Sequence, residues 1–493
     1  MKKTFRLFLP VMAAVFLLVS GFADDATAAM EVSGPLAFKT ADYKPGVTVV
    51  DGKTVHYRAY TKVSYVASPV DTNYQYLNIY IPESALLDQR APIFMPNQIG
   101  GYRPAEPILP AATASIVTER NPSNTVSAAL ARGYVVVSPG ARGNSSEVNK
   151  VFTGKAPAAI VDLKAVVRYL RLNDSIMPGN AKKIISLGQS AGGALTALLG
   201  ASGNDALYEP YLKALGAAKA DDTIFGAICF CPITDLENSD TAYEWMYNRV
   251  INDSDAQGKG IYEFSDDQKA LSAEIKAMYP AYFNSLRLRN VFDGTPLTDA
   301  NYEAYIKVFL MASAQKALDS GADMTGKKWL TIKSGNVTDV DFNAYLSYVG
   351  RIKMIKDPPA FDWLGDRSTK PPRSDGSREN LLFGTANKAT NVFTDFAAKK
   401  LGTTVSQEVR DRVYLMNAMN FVGKKGSVNA PYWYIRHGTL DRDTAFTVPV
   451  ALYTKLINAG TAKGVNFELA WERPHSGSYN LPGVFAWIDE ISK

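Results

Sequence analysis

Apolar runs of strand length recur along the first half of the chain at residues 76–82, 91–96 and 134–139, and each is bounded by proline, glycine or polar residues. Between and after them the apolar positions change spacing. Residues 126–132 precede the third run, and residues 158–172 follow it with Ile160, Leu163, Val166, Val167 and Leu170 at helical intervals, Pro157 standing where a helix start tolerates proline. Further apolar runs lie at 184–187, 224–231, 431–437 and 467–471, with a helical pattern over 447–459 whose Pro449 falls in the first turn. Strand and helix in alternation predict an α/β fold, a mostly parallel sheet with helices on both faces. Residues 30–75 read as polar and strand-poor.

The run at 184–187 leads directly into Gly188-Gln189-Ser190-Ala191-Gly192-Gly193 and then into a helix of small apolar residues. This Gly-x-Ser-x-Gly in a strand-to-helix context is a candidate nucleophile elbow. A serine on so sharp a turn takes a strained backbone, so the residues two before and two after it must be small for strand and helix to approach. The turn also aims the Ala191 N–H, at a helix N-terminus, where an oxyanion would form. A second oxyanion donor is expected from the loop after the 91–96 strand, Asn97-Gln98-Ile99-Gly100-Gly101-Tyr102, in which Gly100 and Gly101 let backbone N–H groups come close to a substrate.

A serine needs a base, and the chain has three histidines, His56, His437 and His475. In α/β-hydrolase order the acid follows the penultimate strand and the histidine follows the last, with a helix between them. Asp441 and His475 meet both conditions, which assigns Ser190 as nucleophile, His475 as general base and then acid, and Asp441 as the carboxylate orienting the imidazole. Asp443 is the alternative acid. His437 reads as a structural hydrogen-bonding residue at a strand end, and His56 fits no order of this fold.

The chemistry of the remaining residues narrows the class. With 46 % apolar and 20 % charged residues the 493-residue chain has the composition of a globular protein, and a formal charge of +5 not gathered into runs gives nucleic acid no footprint. Lys2, Lys3 and Arg6, an apolar stretch over 7–19 and small residues to position 28 read as a signal peptide, so the protein is expected to be exported to the periplasm or beyond, with no stable membrane insertion after cleavage. The two cysteines, Cys229 and Cys231, read as buried fillers of one strand. They are placed badly for a disulfide, and no histidine or carboxylate cluster stands beside them in the sequence, so neither a metal nor a cofactor is expected. The strand-helix alternation breaks over about two hundred residues. The predicted organisation is therefore a signal peptide (1–28), a first core part (30–239), an inserted lid (240–428) and a second core part (429–493). Helices are expected in the lid at 267–278, 298–317 and 342–355, and an exposed loop at 365–373.

The elbow, the run Cys231-Pro232-Ile233-Thr234-Asp235-Leu236, the segment Pro358-Pro359-Ala360-Phe361-Asp362 and above all Arg436-His437-Gly438 followed by Asp441-Arg442-Asp443-Thr444 resemble the bacterial tannases, which hydrolyse galloyl esters. The resemblance implies an α/β-hydrolase with a large lid and a triad of Ser190, Asp441 and His475. It also implies that the galloyl hydroxyls are bound by Asp443 and by a lid lysine and glutamate, which fall on Lys356 and Glu379; Lys353 and Lys370 are competing lysines. Gln189 and Pro474 stand where fungal tannases carry cysteines beside the serine and histidine.

The expected activity is hydrolysis of galloyl esters, depsides among them, with a small-molecule ester as the partner and no signal for a particular oligomer. The alternatives are a feruloyl esterase or general carboxylesterase of the same fold, and a non-catalytic hydrolase-fold binding protein.

Overall fold

The computed structural model describes residues 34–254, 261–351, 359–363 and 376–493. The leader, the 365–373 loop and the lysines Lys353, Lys356 and Lys370 lie outside the described residues. The central sheet is built from β1 (Lys44–Val50), β2 (Lys53–Ser64), β3 (Tyr76–Pro82), β4 (Pro92–Pro96), β5 (Thr113–Ala114), β6 (Val135–Pro139), β7 (Asn180–Gln189), β8 (Gly226–Phe230), β9 (Tyr432–Gly438) and β10 (Gly464–Ala470). Their spatial order is β10-β9-β8-β7-β4-β6-β3-β2-β1-β5. From β6 through β4 to β10 every neighbouring pair is parallel, whereas β3 joins β6 antiparallel, as do β2 with β3 and β1 with β2.

Alternation of side chains across the strands divides the core between the two faces. Phe94, Val136, Ile185, Leu187, Ile228 and Phe230 point to one face, where they pack with α1 (Pro122–Ala131) and the C-terminal helix Leu481–Ile491. Ile93, Met95, Val135, Ile184, Ala227, Trp433 and Ile435 point to the other, against α2 (Ala158–Leu172), α3 (Ala191–Ala201) and the helix Thr447–Ala459. The central strands are buried on both sides, hence their nearly continuous apolar sequence.

Two differences from the sequence reading have physical causes. The stretch read as strand-poor holds the long hairpin β1–β2. It lies toward the sheet edge, so most of its residues are half-buried or exposed, only Thr48, Val50 and Tyr60 being buried, and no apolar run marks it. Its signal is the turn: Val50 pairs with Lys53 across Asp51 and Gly52, both with left-handed backbones (φ 48° and 79°), the two-residue turn for which Asp-Gly is suited. In the segment between β8 and β9, the helix expected over 267–278 is Asp266–Lys276, followed by a separate helix Tyr279–Ser285, and the helix expected over 342–355 ends at Val349, before Gly350 with φ 72°. The helix expected over 298–317 is Asp299–Asp319.

Among the described residues, the segment between β8 and β9 gives no strand to the central sheet. It docks on the second core part through tyrosines. Tyr302 donates to the Thr447 carbonyl at 3.0 Å, Tyr345 to that of Thr439 at 2.5 Å and Tyr247 to that of Asp441 at 2.9 Å. No helix among the described residues is long and apolar enough to cross a membrane.

Gly52→Ala places a Cβ on a left-handed residue that otherwise faces open space. The expected result in urea titration is a loss of about 1–2 kcal/mol of stability with unchanged turnover; a variant as stable as the parent would contradict the turn assignment.

Candidate active site

The carboxyl ends of β7, β8 and β9 converge, as chemistry-bearing strand ends do in open α/β sheets. At the end of β7, Ser190 takes φ 55° and ψ −124°, a backbone that a non-glycine residue holds only under constraint. Its N–H donates to the Phe230 carbonyl at the end of β8 (2.9 Å), which ties the turn to the neighbouring strand. The two flanking glycines are sterically required. A Cβ on Gly188 would lie 2.1 Å from the Gly192 carbonyl oxygen, and one on Gly192 would lie 2.4 Å from Asn97 Oδ1 and 2.8 Å from the Ile99 carbonyl oxygen. Ala191 opens α3, so its N–H belongs to the first turn, where backbone donors have no partner within the helix.

The loop after β4 is fastened to this elbow by Asn97, a residue the sequence reading gave no role. Its Nδ2 donates to the Leu187 carbonyl and to Thr196 Oγ1, both at 3.0 Å, and its backbone N–H donates to the same Leu187 carbonyl at 2.9 Å. Gly100 and Gly101 follow. A Cβ on Gly100 would meet nothing within 4 Å; Gly101 has φ 56° and lies against Arg378, whose Nη1 would be 2.4 Å from an added Cβ. Asn144 Nδ2 donates to the carbonyls of both Gly101 and Arg378, at 3.0 Å each. The structure thereby brings Glu379 beside the glycine loop. The Tyr102 phenol there is pushed up by burial and further by the charge of Glu379.

The Ala360-Phe361-Asp362 run supports Glu379 from behind. Buried Asp240 accepts the N–H groups of Phe361 (2.7 Å) and Asp362 (2.9 Å). Asp362 in turn accepts from Asn380 Nδ2 at 2.7 Å, and from the N–H groups of Phe393 and Thr394. Burial pushes Asp240 up to about 7 and Asp362 up to about 6, against these hydrogen bonds.

After β9, Asp441 is almost fully buried. Its Oδ1 accepts the N–H groups of Asp443 (2.8 Å) and Thr444 (3.1 Å), and its Oδ2 faces His475 Nδ1 at 2.8 Å. Burial alone would raise its carboxyl, but the charges of His475 and His437 and the hydrogen bonds outweigh that and hold it far below the usual carboxylate range. His475 is the mirror case. Burial would lower it, yet the Asp441 carboxylate, helped by Cys231 and Asp443, holds it well above an ordinary imidazole. Its Nε2 faces Asp443 Oδ2 at 3.3 Å. No hydrogen bond joins Ser190 to His475 in this arrangement, so Nε2 is turned toward Asp443.

Two residues differ from their sequence reading. His437 does sit at the end of β9, fully buried, but neither ring nitrogen makes a hydrogen bond of full geometry; the Thr444 backbone gives it a looser contact and Nε2 lies 3.4 Å from Asp441 Oδ2. Burial lowers its pKa, against the pull of the Asp441 carboxylate. Cys231 lies just past β8 with φ 45° rather than within the strand, its Sγ 3.2 Å from the Ser476 carbonyl. It therefore has the histidine and carboxylate neighbours that the sequence does not place beside it, and folding alone supplies them. Cys229 is fully buried within β8.

The sign of the His475 shift gives a test. A carboxylate beside the imidazole stabilises its protonated form, so Asp443→Asn should lower the His475 pKa and move the acid limb of the kcat/KM profile to lower pH. Imidazole proton resonances, of which the chain has only three sets, report it directly; an unmoved titration would contradict the contact.

The chain has counterparts among known proteins. A family model described as BD-FAE matches residues 115–276. A comparison with curated proteins returned no match. Among solved structures, the chain is similar to the tannase of Fusobacterium nucleatum, with 37 % identity and a TM-score of 0.82, and to the native tannin acyl hydrolase of Lactobacillus plantarum, with 37 % identity and a TM-score of 0.83. It is also similar, at 36 % identity and a TM-score of 0.82, to a tannin acyl hydrolase in complex with ethyl gallate. Each likeness covers 93 % of this chain and 99 % of the other. The chain belongs to the bacterial tannase (tannin acyl hydrolase) family, carboxylic ester hydrolases of the α/β-hydrolase fold.

Proposed function

We propose that the protein is an exported serine esterase that cleaves galloyl esters, depsides among them, to gallic acid. The observation that carries this reading is the likeness, over nearly the whole chain, to a tannin acyl hydrolase in complex with ethyl gallate. The leader-like start of the chain supports export.

In the proposed cycle, neutral His475 holds its Nδ1 proton toward Asp441, which leaves Nε2 as the acceptor. Ser190 Oγ attacks the ester carbonyl carbon while its proton passes to Nε2. The negative oxygen is received by the Ala191 N–H and by the Gly100–Gly101 loop, and the helix dipole of α3 favours charge there. The C–O bond then breaks, the alcohol leaves with the proton from Nε2, and water repeats the sequence to release the galloyl group as its acid. The high pKa of His475 in the ligand-free site opposes the first step. Substrate hydroxyls that donate to Asp443 draw its charge away from Nε2 and so favour the neutral base.

Ring selectivity follows from the same carboxylate. Asp443 accepts from one ring hydroxyl, and Glu379, beside the glycine loop, and Lys356 complete the recognition of the three. A ring without hydroxyls would desolvate these groups and leave them unpaired, a penalty that supports rejection of up to about 10⁴–10⁵.

The test is hydrolysis of methyl gallate beside methyl benzoate and methyl ferulate by the parent and by Ser190→Ala and Asp443→Ala. Expected are strong preference for gallate, loss of all turnover in Ser190→Ala, and a much larger loss on gallate than on benzoate in Asp443→Ala. Comparable parent rates on the three esters would replace this reading with a general carboxylesterase or feruloyl esterase, and no turnover on any would favour a binding protein.

A further inference from the structure

Behind the His475 imidazole, Cys231, His437 and Asp441 come from the ends of β8 and β9 and the loop after β9. Their sulfur, ring nitrogen and carboxylate oxygen donors all lie within 4.8 Å of one another. All three side chains are buried, the first two completely. The group is more than a chance packing of polar residues, because His437 is poorly satisfied. It is fully buried, neither nitrogen makes a hydrogen bond of full geometry, the Thr444 backbone gives it only a looser contact, and Nε2 lies 3.4 Å from Asp441 Oδ2. A buried imidazole so poorly satisfied is costly, and it keeps a lone pair available for a ligand. We propose that Cys231, His437 and Asp441 form an inhibitory binding site for a borderline-soft divalent cation such as Zn²⁺ or Cd²⁺.

The donor set selects the ion class. One thiolate, one imidazole and one carboxylate suit zinc-like cations and are poor for Mg²⁺ or Ca²⁺, which require oxygen ligands. With Zn–S near about 2.3 Å and Zn–N and Zn–O near about 2.0 Å, tetrahedral ligation needs donors somewhat over 3 Å apart. The His437–Asp441 pair is already at that separation, and the sulfur, within 4.8 Å of both, must close by no more than about 1.3 Å. A water retained from the hydrated ion completes the shell.

Binding replaces waters of the hydrated ion by Sγ, Nε2 and Oδ2, and the Cys231 thiol proton is released to solvent. The neighbouring His475 side chain is 21 % exposed. Once Oδ2 is ligated, His475 loses the carboxylate that orients it. The inhibitory part of this inference therefore rests on Asp441 being the catalytic acid, while the binding part does not.

The experiment is titration of the full chain with Co²⁺ as a spectroscopic probe and Zn²⁺ as competitor, with ester hydrolysis followed in parallel. Expected is one equivalent of Co²⁺ with a thiolate-to-metal charge-transfer band, lost in Cys231→Ser and kept in Cys229→Ser. His437→Gln should weaken Zn²⁺ binding by at least about tenfold. Hydrolysis by the parent should fall in step with occupancy and return on chelation. No band in the parent, or a band that persists in Cys231→Ser, overturns the site whatever the esterase activity. A Cys231-dependent band with undiminished hydrolysis overturns the inhibitory claim, and with it the role given to Asp441.

Discussion

The Asp441 carboxylate is the point on which the surrounding structure depends. A charge taken almost wholly out of water costs several kcal/mol unless it is paired and hydrogen-bonded. Here two backbone N–H groups, the Thr444 hydroxyl and the His475 ring surround it. Those donors exist only if the loop after β9 holds one shape, and that shape is set from outside the core. Tyr345 and Tyr247 donate to the carbonyls of Thr439 and Asp441, and Tyr243 donates to that of Arg442. The segment between β8 and β9 is therefore part of the support of the acid loop, besides any part it has in covering the site. Its removal would leave buried carbonyls without donors.

The elbow obeys a second constraint, that of distance. Strand β7 and helix α3 approach so closely that no side chain fits at Gly188 or Gly192, and the strained Ser190 backbone persists because Phe230 and the first turn of α3 over-determine it. Asn97 then carries the position of the elbow to the glycine loop through Leu187 and Thr196, so both proposed oxyanion donors belong to one rigid unit. Such preorganisation lets fixed dipoles stabilise developing charge without rearranging.

What could be read in the sequence was what is local or ordered along the chain. Apolar runs marked every buried strand, to within about two residues for most and more loosely for Asn180–Gln189 and Gly464–Ala470, and the order of serine, acid and histidine singles out Asp441 and His475, which hydrogen-bond in the fold. The β1–β2 hairpin escaped because half-buried strands near the sheet edge lack such runs; its Asp-Gly turn was the available signal. The roles of Asn97, the tyrosine donors and the Cys231–His437–Asp441 cluster depend on contacts between distant segments, and no spacing encodes them. Lys356 lies outside the described residues, whereas Glu379 comes to the glycine loop through Arg378 and Asn144, a route visible only after folding.

The catalytic unit can be probed by covalent trapping. The full chain and its Asp441→Asn and His475→Ala variants are exposed to an organophosphonate ester, and the modified residue is identified by peptide mass spectrometry. Expected are stoichiometric phosphonylation of Ser190 in the parent, with complete loss of hydrolysis, and labelling slowed by orders of magnitude in both variants. Labelling of another residue, or equal rates in all three proteins, would contradict the proposed catalytic unit of Ser190, His475 and Asp441.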